Sequence, residues 1–284
     1  MRSSIAGLWR DRAGKFALAK ALGLLVAVYP AVWLLIRALG GDLGGRPLTE
    51  AIHVLGDWTI RFFLLTLAIT PARALLDAPK LIPLRRIFGV TTAVYVVLHL
   101  LLYTADQKWN LWTVASEIVL RFYLTIGFVA LLALIVLAIS STDGWQRKLK
   151  FRWKQLHRLV WPIGVLAMWH YFLQSKSNVA DAAFYTGLFE WLVLWRLIPR
   201  HRHMKTASLL LLTVAAAVLT AATEAAWYGL ATRIDPLRIL SANLDILYQL
   251  RPAVQVLIAG LATCLVVAFR RWRKRKPVPA LAIS

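Results

Sequence analysis

The sequence predicts an all-α integral membrane protein, a polytopic bundle of about eight transmembrane helices with N- and C-termini cytoplasmic. Three observations carry that prediction. Hydrophobic residues make up 60% of the 284, with a mean hydropathy of +0.63, where soluble domains run closer to half apolar. The excess is gathered into runs of roughly 17–24 residues, the length at which a helix crosses about 30 Å of hydrocarbon. The charged residues lie between those runs and alternate in density from one connection to the next.

The runs place spans near 16–39, 54–70, 87–104, 118–140, 157–173, 182–198, 207–223 and 253–269. The first follows a basic segment, 1–15. At about 24 residues it is too long for the apolar core of a cleavable signal peptide. The second carries Arg61 in WTIRFFLL, and the third carries His99 in VLHLLLY. The fourth opens on RFYLTIG with Arg121, and the fifth is LHRLVWPIGVLAMWHYF, with His157 and His170 at its two ends and Pro162 between. The sixth holds Glu190. The seventh and eighth are plain runs of Ala, Leu and Val, followed by a basic tail.

Orientation follows from the basic residues, which are enriched in cytoplasmic connections. With the N-terminus inside, 24 of the 34 Lys and Arg fall in inside segments and 6 in outside ones, and the bias holds loop by loop. The chain divides by content into residues 1–49 with the first span, a core at 50–200 dense in aromatic, histidine and polar residues, and an appended hairpin at 201–284. No internal repeat is evident.

The net charge of +21 raises nucleic acid as a partner, but its placement between apolar runs is the signature of membrane topology, so no nucleic-acid partner is expected. A single cysteine, Cys264, excludes an intrachain disulfide, a CxxC metal site and c-type haem attachment. No GxGxxG, GxxxxGK[ST] or HExxH is present, so no fused nucleotide-binding domain or zinc protease is expected. Asp57 and Glu190 read as isolated carboxylates, which argues against an ion transporter.

Histidine is the residue type that points to chemistry. His201 and His203 lie in the basic loop PRHRHMK and read as solvated, and His53 reads as an interface residue. His99 and His170 are different. Both lie well inside spans of the same direction, 13 residues from Arg86 and 12 from Arg158 respectively, or roughly 18–20 Å from the inner edge at about 1.5 Å per residue. Two neutral imidazoles at one depth on facing helices suit the axial positions of a haem iron used for electron transfer. The alternative is that each only hydrogen-bonds a neighbouring helix. His157 lies at the inner edge without a histidine partner on the third span; ligation, exchange with His170 and contact with a cofactor edge are all open to it. Arg61 and Arg121 are cations embedded in spans, where haem propionates would neutralise them; snorkelling to head groups is the alternative, and Glu117 is placed to pair with Arg121 at i, i+4.

LTLAITPAR (65–73), RRIFGV (85–90), VLHLLLY (97–103), RFYLTIG (121–127), QRKLKFRWKQLHRLV (146–160) and HYF (170–172) resemble the MsrQ branch of the ferric-reductase-like transmembrane family. These are haem-binding membrane subunits of the bacterial periplasmic methionine-sulfoxide reductase system. The resemblance covers about 50–200. It implies b-type haem (haem b), a multi-pass place in the bacterial inner membrane, and electrons passed from the quinone pool to a soluble periplasmic molybdoenzyme, MsrP. That molybdoenzyme holds the catalytic reductase site. By the same resemblance His99 is the ligand on the third span, and His157 and His170 are the two candidates on the fifth. An FMN is also implied; Arg85 and Arg86 are weak candidates for its phosphate. The family's RPYLT reads RFYLT here, with Phe122 where the family has proline. Two other readings stay open: a ferric-reductase-like haem subunit fed by a cytoplasmic flavin reductase docked on the basic loop 146–158, and a non-redox membrane scaffold or transporter.

Overall fold

The computed structural model describes residues 9–10, 14–176, 178–245 and 249–275. Among the described residues the only β-type pairing is an isolated bridge between Arg10 and Phe16; the rest of the regular structure is helical. The chain packs as two compact units, one formed by residues up to Arg73 and from Ala78 to Lys176, the other by Ala74–Asp77 and the residues from Ser177 on. The first contains α1 (Leu18–Leu39), most of α2 (Pro47–Leu76), α3 (Ile82–Asp106), α4 (Leu111–Leu120), α5 (Phe122–Ile139), α6 (Asp143–Leu149), α7 (Phe151–Leu156) and α8 (Val160–Gln174). The second contains α9 (Ala180–Leu197), α10 (Thr206–Trp227), α11 (Pro236–Leu244) and α12 (Pro252–Arg275).

A helix stands at each of the eight predicted places. Six are long and apolar enough to cross a membrane: Leu18–Leu39, Pro47–Leu76, Pro79–Asp106, Phe122–Ile139, Thr206–Thr232 and Pro252–Arg273. Large apolar side chains such as Leu18, Leu25, Leu35 and Ile36 of α1 are exposed, which lipid tolerates and water does not. The protein is a multi-pass helical membrane protein.

The fifth and sixth predicted spans differ from the other six for local reasons. His157–Leu159 form a 3₁₀ turn, and α8 proper has 15 residues. Pro162 sits in its first turn. Proline has no N–H and crowds the carbonyl four residues back, so a helix cannot run unbroken from α7 through it. The sixth, α9, has 18 residues but includes Asp181, Glu190 and Arg196. The fourth predicted span also opens later than expected, because Arg121 is extended (φ −106°, ψ 102°) and separates α4 from α5. Phe122 is then the first residue of α5, the position where proline is tolerated but not required. The departure from the family's RPYLT therefore leaves the helix start intact.

The core of the first unit is aromatic. Phe62 is fully buried and packs on Phe88 and Tyr95 with ring centroids 5.9 and 5.1 Å away. The Tyr95 hydroxyl donates to the Ala27 carbonyl (2.8 Å) and accepts from the Ala31 N–H (3.1 Å). It thus bridges an i, i+4 pair of α1 around Pro30, where the helix ladder is weakest. Gly23 brings α1 close to α3: a Cβ there would lie 2.4 Å from the Leu84 side chain.

In the second unit α9, α10 and α12 pack on one another through glycine–threonine seams. A Cβ on Gly187 would meet Thr220 Oγ1 at 2.1 Å, and one on Gly260 would meet Thr213 at 2.3 Å. Trp191 donates to Thr213 Oγ1 at 3.2 Å. Glu224, 1% exposed, accepts from Arg251 (2.7 Å) and Asn243 (2.8 Å), tying α11 and the start of α12 to α10. His203 is half-buried rather than solvated: it stacks on Trp195 at 4.1 Å and bonds the Ile198 carbonyl at 2.7 Å. The packing line at 176/177 differs from the content-based division at 200, because α9 shares its small-residue seams with α10 and α12.

Candidate functional site

His99 lies half-buried on α3, with Nδ1 2.9 Å from the Ile52 carbonyl of α2. His170 lies half-buried on α8, with Nδ1 2.8 Å from the Tyr123 carbonyl of α5. A carbonyl only accepts, so in each neutral ring Nδ1 carries the proton and Nε2 carries the lone pair. The two readings of these histidines are therefore compatible: each bonds a neighbouring helix through one nitrogen and keeps the other for a ligand.

Their neighbours connect the two halves. The Tyr171 hydroxyl, next to His170, donates to Asp57 (2.8 Å), next to the α2 glycine Gly56. Asp57 is thus not isolated; Arg61, one turn on, lies 3.8 Å from it and 4.8 Å over the Trp58 ring. On the other side Tyr103, one turn beyond His99, donates to Glu117. Glu117 pairs with Arg121 at 2.6 Å, and Arg121 reaches the Tyr123 hydroxyl at 3.2 Å. A Tyr–Glu–Arg–Tyr chain therefore runs from α3 through α4 to the first turn of α5, whose carbonyl holds His170. Both arginines are carboxylate-paired, and Glu117 takes the i, i+4 role expected of it; Arg121, expected inside a span, stands instead at the break before α5, half-exposed.

His157 stands apart. Its Nδ1 is 3.1 Å from the Trp153 carbonyl, its Nε2 faces the Ser141 hydroxyl at 3.3 Å, and its ring stacks on Trp153 at 4.0 Å. Trp153 in turn donates to the Ser140 carbonyl at 2.9 Å. Both nitrogens of His157 are engaged by the protein. Arg86 pairs with Asp143 at 2.7 Å. Among the described residues no group of three or more His, Cys, Asp or Glu forms a metal cage. The donor set on offer is two imidazoles, which fits a metal whose remaining ligands come from a macrocycle.

Residues 55–168 match the family described as ferric reductase like transmembrane component. The chain is 42% identical over 177 residues to the protein-methionine-sulfoxide reductase heme-binding subunit MsrQ of Xanthomonas campestris pv. campestris (strain B100), covering 62% of this chain and 81% of that one. It is 38% identical over 199 residues to the protein of the same name from Rhodospirillum rubrum, covering 69% of this chain and 93% of that one. The chain belongs to the MsrQ family. No solved structure matches it.

His99, Glu117, Arg121 and His157 lie inside the matched ferric-reductase segment, and His170 lies two residues beyond it. The alignment takes in nearly all of the Rhodospirillum MsrQ but only part of this chain, so this chain carries sequence beyond the part it shares with that relative. Reading the sequence missed Tyr103, Tyr123 and Tyr171 and the partners of Asp57. The isolated-looking Asp57 was a usable signal, since a carboxylate inside an apolar run needs a donor.

Proposed function

We propose that this chain is the electron-transfer subunit of a methionine-sulfoxide reductase system, with His99 and His170 holding a b-type haem between α3 and α8. One observation carries the reading: two imidazoles on different helices, each tied by Nδ1–H to a backbone carbonyl, which leaves the Nε2 lone pair for a metal. The MsrQ relatives are named heme-binding subunits, which supports the cofactor. Held by both histidines, a haem iron would have no open position and would supply one-electron transfer rather than oxygen binding.

The chain's own residues orient and shield. The Ile52 and Tyr123 carbonyls fix the tautomers. Arg61 and Arg121 would pair with the propionates of a bound haem; a guanidinium has five N–H donors, more than one carboxylate takes. His157 locks the inner turn against Ser141 and Trp153, which favours His170 over His157 as the partner of His99. Electrons enter from the quinone pool in the inner membrane and leave outside to a periplasmic molybdoenzyme, MsrP, with both termini of this chain cytoplasmic. An FMN belongs to the family expectation, and Arg85, unlike Arg86, is not spent on Asp143.

A second reading has its own observation. The segment from α6 through Arg158 exposes Arg147, Lys148, Lys150, Arg152, Lys154 and Arg158, a cationic face suited to an acidic cytoplasmic flavin reductase. Purified protein in nanodiscs separates the two. Reduction of the haem band by a reduced quinone analogue supports the quinone route. Reduction only by NAD(P)H with a flavin reductase, with no response to quinol, overturns it.

A further inference from the structure

Two helix pairs of the first unit carry the same device. α2 gives α3 the Ile52 carbonyl and, four residues on, Gly56. α5 gives α8 the Tyr123 carbonyl and, four residues on, Gly127. Each histidine follows its carbonyl by 47 residues and its glycine by 43.

The four-residue spacing has a physical reason. In an α-helix the residue four places on sits directly above a carbonyl and donates its N–H to it. Its Cβ tilts back toward the N-terminus, over that carbonyl. A side chain there would cover the oxygen's second lone pair, the one that each histidine uses. The contacts bear this out. A Cβ at Gly127 would lie 2.7 Å from both Cε1 and Nδ1 of His170; one at Gly56 would lie 3.3 Å from Cε1 and 3.4 Å from Nδ1 of His99. Gly89, also on α3, is unlike them: a Cβ there meets only Thr66, at an ordinary 3.5 Å.

We propose that Gly56 and Gly127 are positioning residues for the two metal-facing imidazoles, each opening one backbone carbonyl to a histidine Nδ1–H and so fixing which nitrogen faces the metal and how strongly it donates. This rests on the haem-ligand reading of His99 and His170. It goes beyond that reading in assigning the tautomer and the donor strength to two glycines on the neighbouring helices. The Nδ1–H···O=C bond raises the basicity of Nε2. Displacing the ring weakens that donation, and with it the stabilisation of ferric iron.

The test uses full-length protein with Gly127→Ala, Gly56→Ala and Gly89→Ala, checked for folding by circular dichroism and gel filtration. The expected order of effect is Gly127→Ala above Gly56→Ala, with Gly89→Ala unchanged. Gly127→Ala is expected to retain haem about ten-fold more weakly, the range found for outer-shell partners of metal ligands. What haem it keeps should gain a high-spin component and a raised midpoint potential. In haem-free protein, ¹⁵N NMR of the histidines is expected to report the Nδ1–H tautomer at His170 in the wild type and a mixture in Gly127→Ala. Wild-type spectrum, potential and tautomer in folded Gly127→Ala and Gly56→Ala overturn the inference while leaving ligation standing. Wild-type protein that binds no haem overturns the ligation reading, and the NMR comparison still decides the glycines. If Gly127→Ala does not fold, the milder Gly56→Ala decides by potential and tautomer.

Discussion

At His170 the Nδ1–H goes to a carbonyl of another helix, whereas at His157 the Nδ1 contact stays within its own segment and Nε2 meets Ser141. The same side chain is proposed as a ligand in one place and braces a turn in the other. The polar partners of the pair are also energetic. Tyr171→Phe deletes a hydrogen bond to the Asp57 carboxylate, an interaction worth about 1.5–3 kcal/mol when one partner is charged. A lowered unfolding midpoint in detergent is therefore expected, with the Phe ring still filling the site; an unchanged midpoint would show that the bond contributes nothing. At this scale the histidines were legible in the sequence because an imidazole inside an apolar run is conspicuous. The glycines were not, since small residues are ordinary in membrane helices. Their spacing to the histidines acquires meaning only once the helices are paired.

The helices differ in how their ends are set. α4 is capped by Asn110, whose side chain accepts from the Thr113 N–H at 3.1 Å. Asn110→Ala is expected to cost about 1 kcal/mol, measurable as a lowered unfolding midpoint. Because α4 carries Glu117 and ends at Arg121, the same variant should also loosen the Tyr103–Glu117–Arg121–Tyr123 chain, seen as faster amide exchange at the start of α5. Apolar length located the eight helices at the predicted spans, since a run of about 20 residues is unambiguous, but not the shorter α4, α6, α7 and α11. It did not locate the breaks at Arg121 and at His157–Leu159, which depend on backbone geometry and on the clash of Pro162. The correspondence between α2/α3 and α5/α8 escaped the sequence for a related reason: the paired segments share a glycine and a histidine at fixed offsets and little else.

Across the molecule, two predictions concern the second unit and the orientation of the chain. Glu224 is almost fully buried and is the carboxylate partner of Arg251. Glu224→Ala leaves that cation uncompensated and is expected to destabilise by about 3–5 kcal/mol, as removing one member of a buried pair does. Glu224→Ala with Arg251→Met should recover part of the loss in thermal unfolding; no recovery would mean that the pair is not the cause. The distribution of Lys and Arg predicts both termini inside, and since the one cysteine, Cys264, is buried, cysteines introduced at each end can be labelled selectively. Labelling from the cytoplasmic side only is expected, and labelling of either end from outside would contradict the orientation. Membrane class and helix order were legible because the length and placement of the apolar runs set them. The grouping of α9 with α10 and α12 was not, because it rests on glycine–threonine seams that composition does not reveal.

The central claim is that His99 and His170, not His157, hold the metal. A reduced-minus-oxidised visible spectrum of the wild type and of the His99→Ala, His170→Ala and His157→Ala proteins tests it most directly. The predicted result is b-type absorption in the wild type, lost in His99→Ala and His170→Ala and kept in His157→Ala. Loss in His157→Ala with retention in His170→Ala would contradict it.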